Sequence, residues 1–154
     1  MRSFLFIGAH PDDIEFGCGG TIAKATSQGI RCHTLVFSDC HESLPVFHSN
    51  PDLIVNESIE ALKLLGVLTT DMRWLTFPVR NFDEHRSNIL DILVKDYRDI
   101  EWERIYVPNQ LDIHQDHNIM TQEGMRAFKF LQFTDMSSLG TIFRVIFKSL
   151  IHYT

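Results

Sequence analysis

The 154-residue chain predicts an α/β fold: a Rossmann-like three-layer sandwich built on a mostly parallel sheet. Three observations carry this expectation. Short, nearly continuous runs of β-branched and aromatic residues recur along the chain, as strands covered on both faces require. Helical patterns, with apolar residues three and four apart, fill the intervals between them. Strand and helix therefore alternate, and that order implies right-handed crossovers with helices on both faces of the sheet.

The first strand is the run SFLFIG at 3–8. It leads into a glycine-rich segment with Gly17, Gly19 and Gly20, best taken as a tight turn that lets the preceding loop pack flat. A helix over 21–28 follows, ending at Gly29, where a left-handed cap fits. The second strand is RCHTLVFS at 31–38, and the second helix runs over 53–65, with Asp52 as N-cap and Gly66 as its closing glycine. RWLTF at 73–77 makes a third strand. A helix over 86–98 then places Ile89, Ile92, Leu93 and Tyr97 on one face. RIYVP at 104–108 is the fourth strand, and a helix over 117–131 groups Met120, Gly124, Ala127, Phe128 and Leu131. One α/β domain over 1–130 accounts for all of these. Residues 131–154 form a divergent tail, packed on or extending that domain, in which 141–151 suits a last strand or an amphipathic helix.

Composition narrows the function classes. With 44% hydrophobic and 22% charged residues, and no apolar run of membrane-spanning length, the chain reads as soluble and globular. The start at Met1 leads directly into a strand without a signal-peptide pattern, so a cytoplasmic location is expected. Fourteen basic against 20 acidic residues give a formal charge of −6, which offers no footprint for nucleic acid. Cys18, Cys32 and Cys40 are odd in number and lack CxxC spacing, which argues against a disulfide framework and a cysteine zinc site.

In a sheet of this kind ligands gather beyond the carboxyl ends of the strands. His10, Pro11, Asp12 and Asp13 follow the first strand there, and NQLDIHQDHN at 109–118 follows the fourth. Imidazole and carboxylate suit zinc, or iron(II), and a catalytic zinc keeps three protein ligands and one open position. His10, Asp13 and His117 could supply that triad, leaving Asp12, His114 and Asp116 for proton transfer and charge stabilisation. Either cluster alone is a weak signal. Both on one sheet edge, with complementary ligand types, point to a metal site.

These residues resemble a known family. GAHPDDIEFGCGGTIAK at 8–24 is similar to the opening signature of the PIG-L/LmbE-type N-acetylglucosaminyl deacetylases, and His114-Gln115-Asp116-His117 matches their HxDH motif. FSDCHESLP (37–45), NESIEALKLLGV (56–67), FPVRNF (77–82) and EGMRAFK (123–129) extend the likeness, which spans about residues 3–129. The resemblance implies the family's deacetylase fold and hydrolysis of the acetamide of an N-acetylated amino sugar, releasing acetate and a free amine. It further implies zinc on His10, Asp13 and His117, with Asp12 as general base. A protonated His114 would assist at the oxyanion and leaving group, with Asp116 orienting it. The implied partner is a small N-acetylated sugar or sugar conjugate.

Other residues at the same edge have weaker claims. Ser38, Asp39 and Glu42 could hydrogen-bond substrate hydroxyls, and the donor fork of Arg80 suits a hydroxyl or a phosphate as well as a surface ion pair. Glu15 is a candidate acceptor for a ligand histidine. His33 and Cys18 read as structural, and His48, His85 and His152 as surface residues. The resemblance ends near Lys129, after all of the expected ligands, so the chain could bind zinc and yet lack part of the family's sugar pocket. Two competing readings follow: a metal-binding relative without catalytic activity, and a metal-dependent phosphoesterase or nucleotide-binding protein. An uncovered sheet edge or apolar helix face would also favour a homo-oligomer.

Overall fold

The computed structural model describes residues 2–43, 50 and 52–128, together with the backbone of two further strands at 132–134 and 143–147. His48, Leu131 and His152 lie outside the described residues. Strands β1 (Ser3–Gly8), β2 (Arg31–Val36), β3 (Met72–Trp74) and β4 (Arg104–Pro108) are parallel, as the alternation predicts. β5 (Gln132–Thr134) and β6 (Phe143–Phe147) complete a six-stranded sheet of order β3-β2-β1-β4-β6-β5. β6 runs antiparallel to β4, placing Phe143 opposite Pro108 and Phe147 opposite Arg104. Of the two forms open to the stretch at 141–151, its core is a strand.

Period-2 alternation in β1 divides the interior in two. Leu5 and Ile7 pack with Leu35, Phe37, Ile89, Leu93, Ile105, Ile119 and Met120 under helices α3 (Arg86–Ile92) and α4 (Gln115–Ala127). Phe4 and Phe6 face the other way, toward Ile14, Cys18, Ile22, Leu62 and Val67 under α1 (Asp13–Ser27) and α2 (Leu53–Leu64). Tyr106 stacks on Phe6 with ring centroids 4.5 Å apart, tying β4 to β1 on that face. The result is the expected sandwich of helices, sheet and helices. No described helix is long and apolar enough to cross a membrane.

Several elements differ from expectation for identifiable reasons. α1 begins at Asp13, so Gly17, Gly19 and Gly20 are helical and form no turn. The weak helix propensity of glycine is overridden by burial of Ile14, Cys18, Ile22 and Ala25 along one face. β3 is short, although Leu75 and Phe77 still donate their N–H groups to Val36 and Phe37. α3 gives way after Ile92 to a π-helical segment, Leu93–Tyr97. Asp52 stands at the N-cap of α2 without a side-chain capping bond and faces His41 at 3.2 Å.

Gly29 (φ 74°) and Gly66 (φ 89°) do adopt the left-handed conformation. After each, a six-residue return bond closes the helix: Ile30 N–H to Ala25 and Val67 N–H to Leu62. Gly124 serves packing instead, since a Cβ there would stand 2.9 Å from Val107 Cγ1 and push α4 off β4. Cys18, Cys32 and Cys40 are all buried free thiols. Burial pushes the thiols of Cys32 and Cys40 up to about 11, so both stay protonated and act as small core residues. His33 packs edge-on against Trp102, 5.0 Å between centroids, as a structural residue would.

Candidate metal centre

Two loops at the carboxyl edge of the sheet build the site. The first leaves β1 at Ala9 and turns into α1 within four residues. Asp13, the first residue of α1, folds its carboxylate back so that Oδ2 accepts the N–H groups of Ala9 (2.9 Å) and His10 (2.8 Å). This leaves Oδ1 facing His117 Nε2 at 3.2 Å. The second loop leaves β4 and enters α4, whose first turn carries Asp116 and His117.

His10, Asp13 and His117 converge. His117 Nε2 lies 3.3 Å from His10 Nδ1, and His10 Nδ1 lies 3.7 Å from Asp13 Oδ2. Donor atoms about 2.0–2.1 Å from a tetrahedral zinc are separated from one another by about 3.3–3.4 Å, which the His10 Nδ1–His117 Nε2 and His117 Nε2–Asp13 Oδ1 separations match, while the 3.7 Å contact to His10 is made by the other Asp13 oxygen, Oδ2. Its chemistry fits too, with two imidazoles and one carboxylate on a half-buried edge. One ring nitrogen each of His10, His114 and His117 also lies within 4.8 Å of the others, placing His114 beside the triangle.

Hydrogen bonds on the far side of each imidazole set which nitrogen is offered. His10 Nε2 bonds to Asp116 Oδ2 at 3.0 Å, which assigns its free lone pair to Nδ1. His117 Nδ1 bonds to Asp112 Oδ2 at 2.9 Å and Nε2 faces Asp13 Oδ1 at 3.2 Å, so the ring donates to both carboxylates when doubly protonated and, keeping the Nδ1 proton alone, would turn Nε2 toward a metal. The nitrogens on the site side are thus His10 Nδ1 and His117 Nε2. Asp112 is a functional candidate that motif reasoning passes over, although it sits two residues before the HxDH motif in the same loop.

Asp116 departs from its expected role. Its fully buried carboxylate accepts from His10 Nε2 and from the backbone N–H of Arg80 (2.7 Å), and so orients His10 rather than His114. Its backbone is what meets His114: the Asp116 N–H donates to His114 Nδ1 at 3.2 Å, making His114 the N-cap of α4. With Nδ1 accepting, the ring proton belongs on Nε2. Burial holds the His114 pKa below the ordinary histidine value, and neighbouring His10 and His117 press it in the same direction. The lowered pKa favours the neutral ring, with Nε2–H as donor, over the imidazolium that the resemblance implies.

Electrostatics separate the two adjacent aspartates. At Asp13 burial works to raise the pKa, but His117 and the His10 N–H outweigh it and hold the carboxyl below its usual range. Asp12, exposed at the N-cap of α1, is shifted upward by desolvation and by the charge of Asp13. At His117 burial pulls downward, yet Asp13 and Asp112 lift the value to about 9. Asp12 also holds a left-handed backbone, φ 116° and ψ −29°, as do Cys40 (φ 57°) and Arg80 (φ 64°). These non-glycine residues follow β1, β2 and β3 at the one edge, and strain of about 1–3 kcal/mol each collects where function is expected.

Ser38, Asp39 and Glu42 line a second cavity of about 290 Å3 with Phe77 and Pro78. The Ser38 hydroxyl, buried, accepts the Cys40 N–H, and Asp39 accepts that of His41, so both carry loop-shaping bonds. Arg80 is exposed, and its backbone is bonded on both sides, to Asp116 and to the Gln115 side chain. Glu15 bonds to the Ser58 hydroxyl of α2 rather than to a ligand histidine.

An α/β sheet that gathers His10, Asp13 and His117 with the carboxylates of Asp12, Asp112 and Asp116 at one edge offers a metal-ligating donor set beside titratable groups. A family model described as GlcNAc-PI de-N-acetylase, PIG-L, matches residues 5–128, and the chain belongs to this family. It is 32% identical over 139 residues to the uncharacterized deacetylase YaiS of Escherichia coli K12, covering 82% of this chain and 68% of the relative. The structure of conserved protein TT1542 from Thermus thermophilus superposes with TM-score 0.65 at 27% identity, covering 82% of this chain and 55% of that one. N,N′-diacetylchitobiose deacetylase from Pyrococcus horikoshii has the same fold, with TM-score 0.65 at 24% identity over 84% of this chain and 50% of its own. The chain thus spans about half the length of these two solved relatives.

Proposed function

We propose that the chain hydrolyses the acetamide of an N-acetylated amino sugar, with a divalent ion, zinc by ligand type, held by His10, Asp13 and His117. The observation that carries this is the convergence of His10 Nδ1, His117 Nε2 and the Asp13 carboxylate, with His117 3.3 Å from His10 and 3.2 Å from Asp13 Oδ1, and with Asp12 on the adjoining strained turn. When bound, the ion supplies Lewis acidity toward the amide carbonyl and brings the pKa of a water toward about 7.

The side chains divide the remaining work. Asp12 accepts the water proton, and its upward-shifted pKa matches a base better than the depressed Asp13 beside it. His114 donates its Nε2–H to the oxygen that gains charge as the carbonyl becomes tetrahedral. Held by the Asp116 N–H at its other nitrogen, the ring is already oriented for this, with no reorganisation during reaction. The proton held by Asp12 passes to the departing nitrogen, and acetate and amine are released. Asp112 and Asp116 hold the two ligand imidazoles. In this reading Ser38, Asp39 and Glu42, which line the second cavity, and Arg80, next in sequence to its Val79, meet sugar hydroxyls.

The test is metal content and acetate release from a panel of N-acetylated amino sugars, for wild type and Asp12→Asn. The expected outcome is about one ion per chain in both proteins and turnover lower by roughly 100- to 10,000-fold in the variant. Equal turnover would remove Asp12 as the base. Metal-loaded wild type releasing no acetate from any sugar would instead establish a metal-binding relative without activity.

A further inference from the structure

The turn that follows β3 is held by the first turn of α4. Residues 78–81 close on the bond from the Asn81 N–H to the Pro78 carbonyl at 3.3 Å, and Arg80 takes the third position with φ 64°. Glycine is the usual residue there, because a side chain in the left-handed region is strained. Two neighbours at the start of α4 grip this one residue: Asp116 Oδ2 accepts the Arg80 N–H at 2.7 Å, and the Gln115 side-chain amide donates to the Arg80 carbonyl. The N–H and C=O of the strained residue are both fastened.

The turn bridges two parts of the site. Phe77, Pro78 and Val79 line the cavity that Ser38 and Glu42 share. On the other side Phe82 is buried with its ring centroid 6.0 Å from that of His10, and Asp116 Oδ2 accepts from His10 Nε2 as well as from the Arg80 N–H. Arg80 is exposed there, and among the described residues its guanidinium makes no hydrogen bond or ion pair. Ordering a long cation costs rotamer freedom, and a backbone fixed beforehand leaves less to order on binding. Asp116 cannot be removed without also releasing His10, whereas the one side-chain bond of Gln115 among the described residues is to Arg80.

We propose that Gln115 is a positioning residue for substrate: its side chain fixes the turn at Arg80 so that the guanidinium is presented to the sugar ring at this edge. The inference rests on the hydrolase reading and adds to it a residue outside the metal ligands and the proton-transfer groups. Gln115 meets none of the reacting atoms. Its effect passes through Arg80 alone.

The test reads binding and turnover separately on metal-loaded chain. Gln115→Met keeps the length of the side chain and removes its donor, at an exposed helix position that suits methionine. Glucosamine affinity is measured calorimetrically, and KM and kcat by acetate release from N-acetylglucosamine, in wild type, Gln115→Met, Arg80→Ala and the double variant. Gln115→Met should weaken glucosamine binding and raise KM roughly three- to tenfold, with kcat within about twofold and metal content unchanged. Arg80→Ala should cost roughly 10- to 100-fold, as for hydrogen bonds from a charged group. In the Arg80→Ala background Gln115→Met should add nothing, since the side chain it positions is gone. A Gln115→Met variant that binds glucosamine as wild type does, that loses metal or kcat with KM unchanged, or that adds its full factor in the double variant would overturn the proposal, as would a wild type that binds no glucosamine. Wild type that releases no acetate while the glucosamine pattern holds removes the hydrolase reading alone, and release with equal affinities throughout removes the role of Gln115 alone.

Discussion

The two edges of the parallel sheet carry similar residues in opposite conditions. At the amino edge, Arg2 grips Glu103 through two nitrogens at 2.6 and 2.7 Å, just before β1 and β4. Arg31, opening β2, grips Asp71 in the same bidentate way, just before β3. Each carboxylate there is matched on both oxygens by a guanidinium. At the carboxyl edge the carboxylates Asp12, Asp13, Asp112 and Asp116 face imidazoles, one oxygen of Asp116 is buried without a partner among the described residues, and three loop residues hold left-handed backbones. Charge alone does not separate a scaffold from a site. Incomplete satisfaction, converging donor atoms and strain do.

Removing a donor from the carboxyl edge should therefore have the largest effect. Asp13→Ala deletes one corner of the triangle and strands the N–H groups of Ala9 and His10 that its Oδ2 now receives. Elemental analysis should show the bound metal lost from this variant and from His117→Ala, with acetate release abolished in both. Full metal occupancy in Asp13→Ala would move the third ligand to His114, which shares the cluster.

His114→Ala comes next, and it separates chemistry from metal retention. Loss of one preorganised donor should reduce turnover by roughly 100- to 1,000-fold with metal content unchanged. Because His114 also caps α4, the variant should unfold about 2–4 °C lower, in line with about 1 kcal/mol for a lost cap. A thermal melt and a metal assay on the same preparation check both parts. Metal loss in His114→Ala would make it a ligand.

Asp116→Asn asks what the buried carboxylate does. The amide can still accept from the Arg80 N–H and His10 Nε2, but it no longer polarises the imidazole. The expected outcome is metal affinity lower by about 10- to 100-fold, read by competition with a chelator. A lesser change in Asp112→Asn, the more exposed of the two supporting carboxylates, would rank the two supports.

How much of this is legible in the sequence follows from the same contrast. The parallel strands, the glycine caps at Gly29 and Gly66 and the two polar clusters on one edge are readable because each depends on local pattern or strand order. Local pattern misplaces the start of α1 because burial of Ile14 and Cys18 against the sheet outweighs the glycines beside them, and that packing has no local signal. Motif reasoning pairs Asp116 with the neighbouring histidine of its own motif. Its carboxylate instead points across the sheet edge to His10, 106 residues away, where only tertiary structure brings it. Asp112 escapes notice for lack of a motif position, although a carboxylate five residues before His117 in the same loop is within reach of its ring. The hold of Gln115 on Arg80 depends on how the loop after β3 lies against α4, which no periodicity reports.

The amino edge supplies the smallest expected effect and the control for the comparison. The Arg31 guanidinium beside Asp71 holds that carboxyl below its ordinary range, with burial opposing. A carboxylate whose pKa is depressed on folding stabilises the native state fully above its unfolded value, about 3.9, and loses that contribution as pH falls through the lower folded value. Asp71→Asn should therefore lower the melting temperature by about 2–4 °C at neutral pH, as expected for one partly exposed pair, and leave metal content and turnover unchanged. As pH falls below about 4 the gap between the variant and wild-type melting curves should close, because wild type loses there what the variant never had. A gap that stays constant into acid would mean that Asp71 contributes through packing and hydrogen bonding, not charge, and that the two edges differ less than their ion pairs suggest.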